Sequence, residues 1–187
     1  MTTHRRRIHA LLALLIMGGL LSTPHPGTAQ RSGFIIGIGA GPSYVSLPGP
    51  PDRSTKVMVG TDFKIGYAPS EDWAIYWSAD TNFYSPEGDG VSFGFLGVGG
   101  LGATRFLGAD APVSYVDGSV GLGSSAALFD DGEVQQDQGL GLTVGTGWAL
   151  SRVFFLDVDF IYAQVSPDFG DSQRYYGAKV SVNVLSN

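Results

Sequence analysis

Apolar residues recur at every second position along most of this chain, and the positions between them carry mainly glycine, serine and threonine. Because successive side chains of a β-strand point to opposite faces, this period predicts strands and not helices. The clearest segment is 139–150, where large and small residues alternate without interruption. Eight such segments can be counted, the fourth at about 90–106 and the fifth at about 113–128. The fourth changes parity between Phe95 and Leu96, which predicts a β-bulge.

The breaks between these segments alternate in length. They are short after the second, fourth and sixth segments. After the other segments they are mostly longer, acidic and rich in Pro and Gly, at 47–54, 85–89, 129–138 and 166–173. Tight turns at one end of a sheet and longer loops at the other are typical of an up-and-down meander that closes on itself. The sequence therefore predicts an all-β fold, an eight-stranded antiparallel up-and-down barrel.

The face that carries the small residues indicates which solvent surrounds the barrel. A soluble barrel needs an outer surface rich in Lys, Glu, Gln and Arg, whereas a membrane barrel turns its apolar face to lipid and packs the other face into a narrow lumen. Glycine on a water-facing surface would weaken the strands without benefit. The small face is therefore predicted to line the lumen of a transmembrane barrel.

Charged residues stand among the small ones on this inner face. Because unpaired buried charges are unfavourable, the sequence predicts that they form an ion-pair network inside the lumen. In this hypothesis Lys64 and Lys179 neutralise neighbouring aspartates from the second, third, seventh and eighth strands. The predicted network consists of Asp62, Lys64, Asp80, Asp117, Asp157, Asp159 and Lys179.

Aromatic residues cluster towards both ends of the predicted strands, as membrane interfaces select. Strands are rich in aromatic residues in general, which explains their number but not this clustering. One girdle is predicted at the tight-turn end, from Tyr67, Trp73, Phe106, Tyr115, Trp148 and Phe154. The other is predicted at the long-loop end, from Tyr44, Phe83, Phe93, Phe129 and Tyr162.

Residues 1–29 have the three zones of an export signal. Residues 5–7 are arginines, residues 10–21 form a short apolar run, and small residues suited to a cleavage site precede position 30. The apolar run is too short for a spanning helix, which needs about 20 residues. Cleavage is expected to leave residues 30–187 as a single exported barrel domain.

The amino-acid composition excludes several kinds of catalytic and metal site from residues 30–187. The chain has no Cys, and His4, His9 and His25 all lie in the leader, so a Ser-His or Cys-His nucleophile and an ordinary zinc site are excluded. Without the leader, 8 basic residues stand against 17 acidic ones, a net charge of −9. This balance argues against nucleic acid as a partner. No catalytic residue, metal site or cofactor is predicted.

The predicted long loops are strongly acidic. One of them contains Asp130, Asp131, Glu133 and Asp137, without the spacing of an EF-hand loop. Solvated surface loops are the simpler interpretation of these residues. The alternative is a divalent-cation site that bridges the phosphates of lipopolysaccharide.

The last strand carries a further signal, Tyr175-Tyr176-Gly177-Ala178-Lys179-Val180-Ser181-Val182. Together with the leader and the eight amphipathic segments, it resembles the small eight-stranded outer-membrane barrels, the OmpA transmembrane-domain and OmpX-like group of the porin family. In that family a polar residue, a Gly two positions later and alternate apolar residues form a signal for the outer-membrane assembly machinery. The matching positions are Tyr175, Gly177, Val180 and Val182. Many members end on Phe, whereas this chain continues to Asn187.

The resemblance covers residues 30–187 and implies a function as well as a fold. It implies a monomer in the outer membrane of a Gram-negative bacterium, in contact with lipid and lipopolysaccharide. The implied role is structural in the envelope or interactive at the surface, without enzymatic activity, because the similar lipid A-modifying barrels use a catalytic His. A narrow porin-like pore for small solutes or ions is the alternative, followed by a soluble exported ligand-binding barrel.

Overall fold

A computed structural model describes residues 32–47, 54–84, 91–108, 112–166 and 172–186, and the predicted leader lies outside these ranges. Each of eight strands pairs antiparallel with the next, and the last pairs with the first, so that the sheet closes. The strands are β1 (Gly33–Leu47), β2 (Ser54–Ser70), β3 (Trp73–Tyr84), β4 (Val91–Phe106), β5 (Val113–Phe129), β6 (Val134–Ala149), β7 (Phe154–Ser166) and β8 (Gln173–Ser186). The predicted eight-stranded barrel is confirmed.

The first and last residues of the barrel wall lie at the same end, which we call the turn end. There, Gly33 pairs with Ala68 and Ser186 pairs with Ile36. The β6–β7 turn at this end is stabilised by Ser151, whose Oγ accepts hydrogen bonds from two backbone N–H groups, at 3.2 and 3.0 Å. The opposite end is called the loop end.

The β5–β6 connection at the loop end is shorter than predicted. Only residues 130–133 separate the two strands, instead of a break over 129–138. Gly132 has a positive φ of 88°, and Oδ1 of Asp131 accepts a hydrogen bond from the backbone N–H two residues later, which tightens the turn. Residues 134–138 therefore continue β6 and pair with β5. Residues 135–138 are polar on both faces, so the composition of this segment resembled that of a loop.

The alternation of large and small residues separates the outer surface of the barrel from its lumen. Large apolar side chains point outwards, such as Ile38 and Phe160, of which 62% and 66% are exposed. The residues between them point inwards and are mostly buried. Each strand therefore contributes one apolar outer face and one inner face, as its period predicts.

β4 keeps a single parity from Phe93 to Phe106. Phe93 faces outwards, whereas Leu96 and Val98 face inwards and are each 1% exposed. The predicted bulge between Phe95 and Leu96 is therefore wrong, and the register with β5 shifts instead between Val91 and Phe93. Leu96 and Val98 are apolar because they fill the lumen, and apolar residues on the inner face looked like a change of face in the sequence.

Side chains fill the lumen in three layers. The charged layer lies in the middle, as the order along β7 shows, where Phe155 is followed by Asp157 and Asp159 and then by Ile161. The lower apolar layer, at the turn end, consists of Ile35, Ala68, Ala74, Tyr76, Phe106, Val113, Tyr115, Ala149 and Phe155. The upper apolar layer, at the loop end, consists of Val45, Met58, Leu96, Val98, Ile161, Ala163, Val165 and Tyr175.

Candidate functional site

Lys179 on β8 is the more enclosed of the two lysines in the charged layer, with 1% of its surface exposed. Its ammonium donates to the carboxylates of Asp62 on β2 and Asp80 on β3, and lies 3.7 Å from Oδ2 of Asp159 on β7. The side chain reaches β2 because it passes Gly60, where a Cβ atom would lie 2.6 Å from the lysine Cδ. Because glycine has no side chain, position 60 leaves space for the aliphatic part of the Lys179 side chain.

Lys64 on β2 reaches across the lumen. Its Nζ lies 2.9 Å from Oδ2 of Asp117 on β5 and 3.2 Å from Oδ2 of Asp157 on β7. It also lies 5.3 Å from the centre of the Tyr76 ring, a cation–π distance. Strands on opposite sides of the barrel are therefore connected through charged side chains.

Tyr76 belongs to this network but was not among the residues predicted for it. Its hydroxyl donates a hydrogen bond to Oδ2 of Asp117 at 3.2 Å and accepts one from Thr104 at 3.3 Å. Tyr76 alternates on β3 with Ile75 and Trp77, which face outwards. A large aromatic residue on the parity of the small ones is the sequence signal that could have identified it.

The charges of the layer do not balance. Counted over the residues that the structure describes, five aspartates face two lysines in this layer, which leaves a formal charge of −3. Oδ2 of Asp62 and Oδ1 of Asp157 are buried and have no hydrogen-bond partner among those residues. The structure thus brings all seven predicted residues into one layer, but their own ion pairs leave part of the negative charge uncompensated.

Two groups of three carboxylates come close enough together to hold a cation. One oxygen from each of Asp62, Asp80 and Asp159 lies within 4.8 Å of the others. The same holds for Asp117, Asp157 and Asp159. The first group surrounds the ammonium of Lys179, whereas Lys64 contacts only two members of the second.

A cavity of about 20 Å³ lies where the lower apolar layer meets the charged layer. Lys64, Asp157, Tyr115 and Asn183 are among the residues that line it. Such a volume holds about one water molecule or an ion of similar size. The cavity is therefore far too small for an organic substrate.

The aromatic residues predicted as girdles occupy three kinds of position. Those exposed on the outer surface are Tyr44, Tyr67, Trp73, Phe93 and Trp148. Those that are half-buried are Phe83, Phe129, Phe154 and Tyr162. The remaining two lie in the lumen.

Phe106 and Tyr115 are these two exceptions, and the girdle prediction is wrong for them. They are 5% and 2% exposed, and their rings pack edge to face at 5.6 Å between centroids. Both also pack against Phe155, at 6.4 and 5.9 Å. Large rings are needed here because side chains must fill the interior of an eight-stranded barrel. The position near a strand end suggested a girdle, but parity decides the face, and Tyr115 shares that of Asp117.

The residues of the predicted assembly signal fall on both faces of β8. Tyr175 is buried in the upper apolar layer, and Gly177 follows it on the inner face. Val180 and Val182 are exposed on the outer face. Their role in assembly stays a prediction.

Solved structures match the fold of this chain, although no protein-family model and no curated protein matches it. The attachment invasion locus protein Ail of Yersinia pestis, solved with the heparin analogue sucrose octasulfate, has a TM-score of 0.54 and 14% identity, covering 82% of this chain and 99% of that one. Neisserial surface protein A has a TM-score of 0.57 and 15% identity, covering 81% and 95%. The outer membrane protein OprG from Pseudomonas aeruginosa has a TM-score of 0.53 and 9% identity, covering 86% and 100%.

This chain has the fold of a small outer-membrane β-barrel. At these identities the similarity extends to the fold alone. The match covers nearly the whole length of each of the three solved chains. Among the described residues, no helix has the length and apolar character needed to cross a membrane.

Proposed function

We propose that this protein is a non-enzymatic integral protein of the bacterial outer membrane, with a structural role in the envelope or an interaction role at the cell surface. The observation that carries the proposal is the distribution of side chains, which is charged inside the barrel and apolar outside it. The aspartates and lysines of the charged layer are buried or nearly so, while aromatic and aliphatic side chains form the outer surface. A water-soluble protein would have the opposite distribution, because exposed apolar surface is unfavourable in water.

The outer surface has the arrangement that a lipid bilayer requires. Its exposed apolar residues come from all eight strands, and among them are Ile36, Val59, Ile75, Leu101, Val120, Leu142, Phe160 and Val182. Trp73 and Trp148 lie near the turn end of this band, and Tyr44 lies near the loop end. Aromatic residues with a polar group favour membrane interfaces, so we propose outer-membrane lipid and lipopolysaccharide as the surroundings of the barrel.

The packed lumen argues against a pore. Leu96 and Val98 occupy the upper apolar layer, and Phe106, Tyr115 and Phe155 occupy the lower one. Charged residues lie between the two layers, so an ion would have to cross apolar side chains on both sides of them. The proposed role therefore does not include diffusion of solutes.

The composition of residues 30–187 and the size of the luminal cavity also argue against catalysis. The exported part contains no His and no Cys, and the cavity beside the charged layer measures about 20 Å³. The buried aspartates have lysine partners and are enclosed between apolar layers, where a lipid or peptide substrate has no access. Their arrangement suits stabilisation of the interior.

A surface-interaction role would differ from that of Ail in its charge preference. Ail was solved with a polysulfated heparin analogue, which requires positive charge at the binding surface. The β5–β6 turn of this protein instead presents Asp130, Asp131 and Glu133, all exposed. A polyanion is therefore not the expected ligand, and cationic or cation-bridged partners are favoured.

The membrane location can be tested by gel mobility and fractionation. A folded membrane barrel resists SDS until it is heated, so the exported protein extracted in detergent is expected to change its apparent size when boiled and to sediment with the outer membrane. Unheated and boiled samples of the same preparation provide the comparison. A protein that dissolves in buffer without detergent and shows no heat-dependent shift would contradict the proposal and favour a soluble ligand-binding barrel.

A further inference from the structure

The charged layer contains more negative charge than its lysines neutralise, and this imbalance points to a missing positive charge. Five aspartates and two lysines face one another there among the described residues. The apolar layers on both sides exclude bulk water and its counterions from the layer. Because an isolated buried charge is strongly unfavourable, the excess requires either a bound cation or bound protons.

The excess is concentrated around Gly145 on β6. Gly145 pairs with Asp117 on β5 and with Asp159 on β7. A Cβ atom on Gly145 would collide with Oδ1 of both aspartates, so the two carboxylates share the space that the glycine leaves. The lysines contact the other oxygens, since Lys64 binds Oδ2 of Asp117 and Lys179 faces Oδ2 of Asp159.

Two unpartnered polar atoms lie in the next row of the same wall. Gly147 pairs with Tyr115 on β5 and with Asp157 on β7. The Tyr115 hydroxyl and Oδ1 of Asp157 are both buried and have no hydrogen-bond partner among the described residues. Both residues line the cavity of about 20 Å³. A buried hydroxyl without a partner is rare in a protein interior, so this observation points to a ligand independently of the carboxylates.

We propose that the lumen binds one divalent cation of the calcium type between Asp117, Asp157 and Asp159. One oxygen from each of the three lies within 4.8 Å of the others. Calcium binds oxygen at about 2.3–2.6 Å in flexible geometry, whereas magnesium requires near-ideal octahedral geometry and usually keeps several water molecules, for which the packed lumen has little space. The cavity beside Asp157 holds a water molecule that accepts a hydrogen bond from the Tyr115 hydroxyl and supplies a further oxygen ligand.

The location of the site determines how the ion enters. Apolar layers close the lumen above and below it, so the ion is enclosed when the strands close into a barrel and exchanges slowly afterwards. Lys64 and Lys179 hold the remaining oxygens of the aspartates and keep the three carboxylates in place. The inference needs a closed barrel but not a membrane, so it can fail while the proposed function stands.

The test compares folding with and without calcium. The exported protein is unfolded in urea and refolded in detergent with calcium chloride, with magnesium chloride or with EDTA, and unbound metal is removed by gel filtration. Elemental analysis is expected to find close to one calcium per chain and much less magnesium. The midpoint of the heat-dependent gel shift is expected to rise by about 5 °C in calcium relative to EDTA, because a ligand that binds only the folded state stabilises it.

Two variants at the site and one control variant assign the ion to its site. Asp159→Asn is expected to lower retained calcium at least tenfold and to abolish the rise in midpoint, while its midpoint in EDTA equals or exceeds that of the wild type because one excess charge is gone. Asp137→Asn, which removes an acid from the β5–β6 hairpin, is expected to retain calcium. Gly145→Ala is a second site variant, because its methyl group displaces the shared oxygens.

The wild-type comparison decides the proposal even if a variant fails to fold. Absence of retained calcium, together with equal midpoints in calcium and EDTA, would overturn the proposal and assign the balance of charge to protons. Equal calcium retention by the wild type and Asp159→Asn would also overturn it, because the ion would then be bound outside the lumen.

Discussion

The outer and inner faces of the same strands obey different physical requirements. On the outer face, residues such as Val144 and Phe160 need apolar character in the proposed membrane, where fluid lipid would fill the spaces between them. On the inner face, Phe155 and Lys179 must match particular neighbours in volume and charge, because the closed lumen has little space for solvent to compensate an error. The inner face therefore requires particular residues at particular positions, whereas the outer face requires only apolar character.

The largest expected effect comes from removing a luminal charge. Lys179→Met leaves Asp62, Asp80 and Asp159 without the ammonium that they share, and loss of one partner of a buried ion pair costs about 3–5 kcal/mol. The free energy of unfolding can be measured by urea titration in detergent, with tryptophan fluorescence as the signal. The matched control is Arg174→Met, which removes an exposed positive charge from the same strand. Equal losses in the two variants would contradict the buried network.

Two phenylalanines of β7 allow the same substitution on both faces. Phe155 is 5% exposed in the lumen and Phe160 is 66% exposed outside. Phe155→Ala is expected to cost about 3–5 kcal/mol, because it leaves a cavity in the lower apolar layer. Phe160→Ala is expected to cost only the transfer contribution of about 2 kcal/mol, since lipid fills the space. If unfolding titrations in lipid vesicles gave the reverse order, the assignment of faces would be wrong.

A positive charge on the outer face tests the membrane surroundings directly. Val144 lies in the middle of the outward residues of β6, and Leu150 follows that strand at the turn end. Val144→Arg is expected to cost about 2–4 kcal/mol in a bilayer and Leu150→Arg about 0–1 kcal/mol, because the cost depends on depth. Folding yield and unfolding free energy in vesicles measure both. Equal costs would place the two positions at the same depth or outside a bilayer.

The outline of the fold was predictable from the sequence because the period of two is a property of each strand by itself. The count of eight strands followed from it, and the inward position of the small residues followed from the argument that glycine on a water-facing surface would weaken the strands. The errors occurred where composition or position along the strand was used in place of parity. Leu96 and Val98 were assigned to the wrong face because they are apolar, and residues 134–138 were assigned to a loop because four of the five are polar.

The members of the charged layer were also predictable, since their parity placed them in the lumen. Their pairing was predictable only in part, since partners were expected from the second, third, seventh and eighth strands and not from the fifth. Lys64 bonds to Asp117 across the barrel, and Lys179 reaches past Gly60 to β2 and β3. The period of one strand contains no information on which residues of other strands stand at the same height, because the stagger between strands sets that height.

By itself, the sequence determined that the chain forms β-strands, how many there are, and which face of each is apolar, because these features depend on neighbours along the chain. Tertiary structure alone decided how the inner faces meet. Register brought Asp117, Gly145 and Asp159 side by side on three neighbouring strands, and closure placed Lys64 within 2.9 Å of Asp117 across the lumen. Interactions across the lumen arise only when the sheet closes, since closure brings together strands that do not pair with each other.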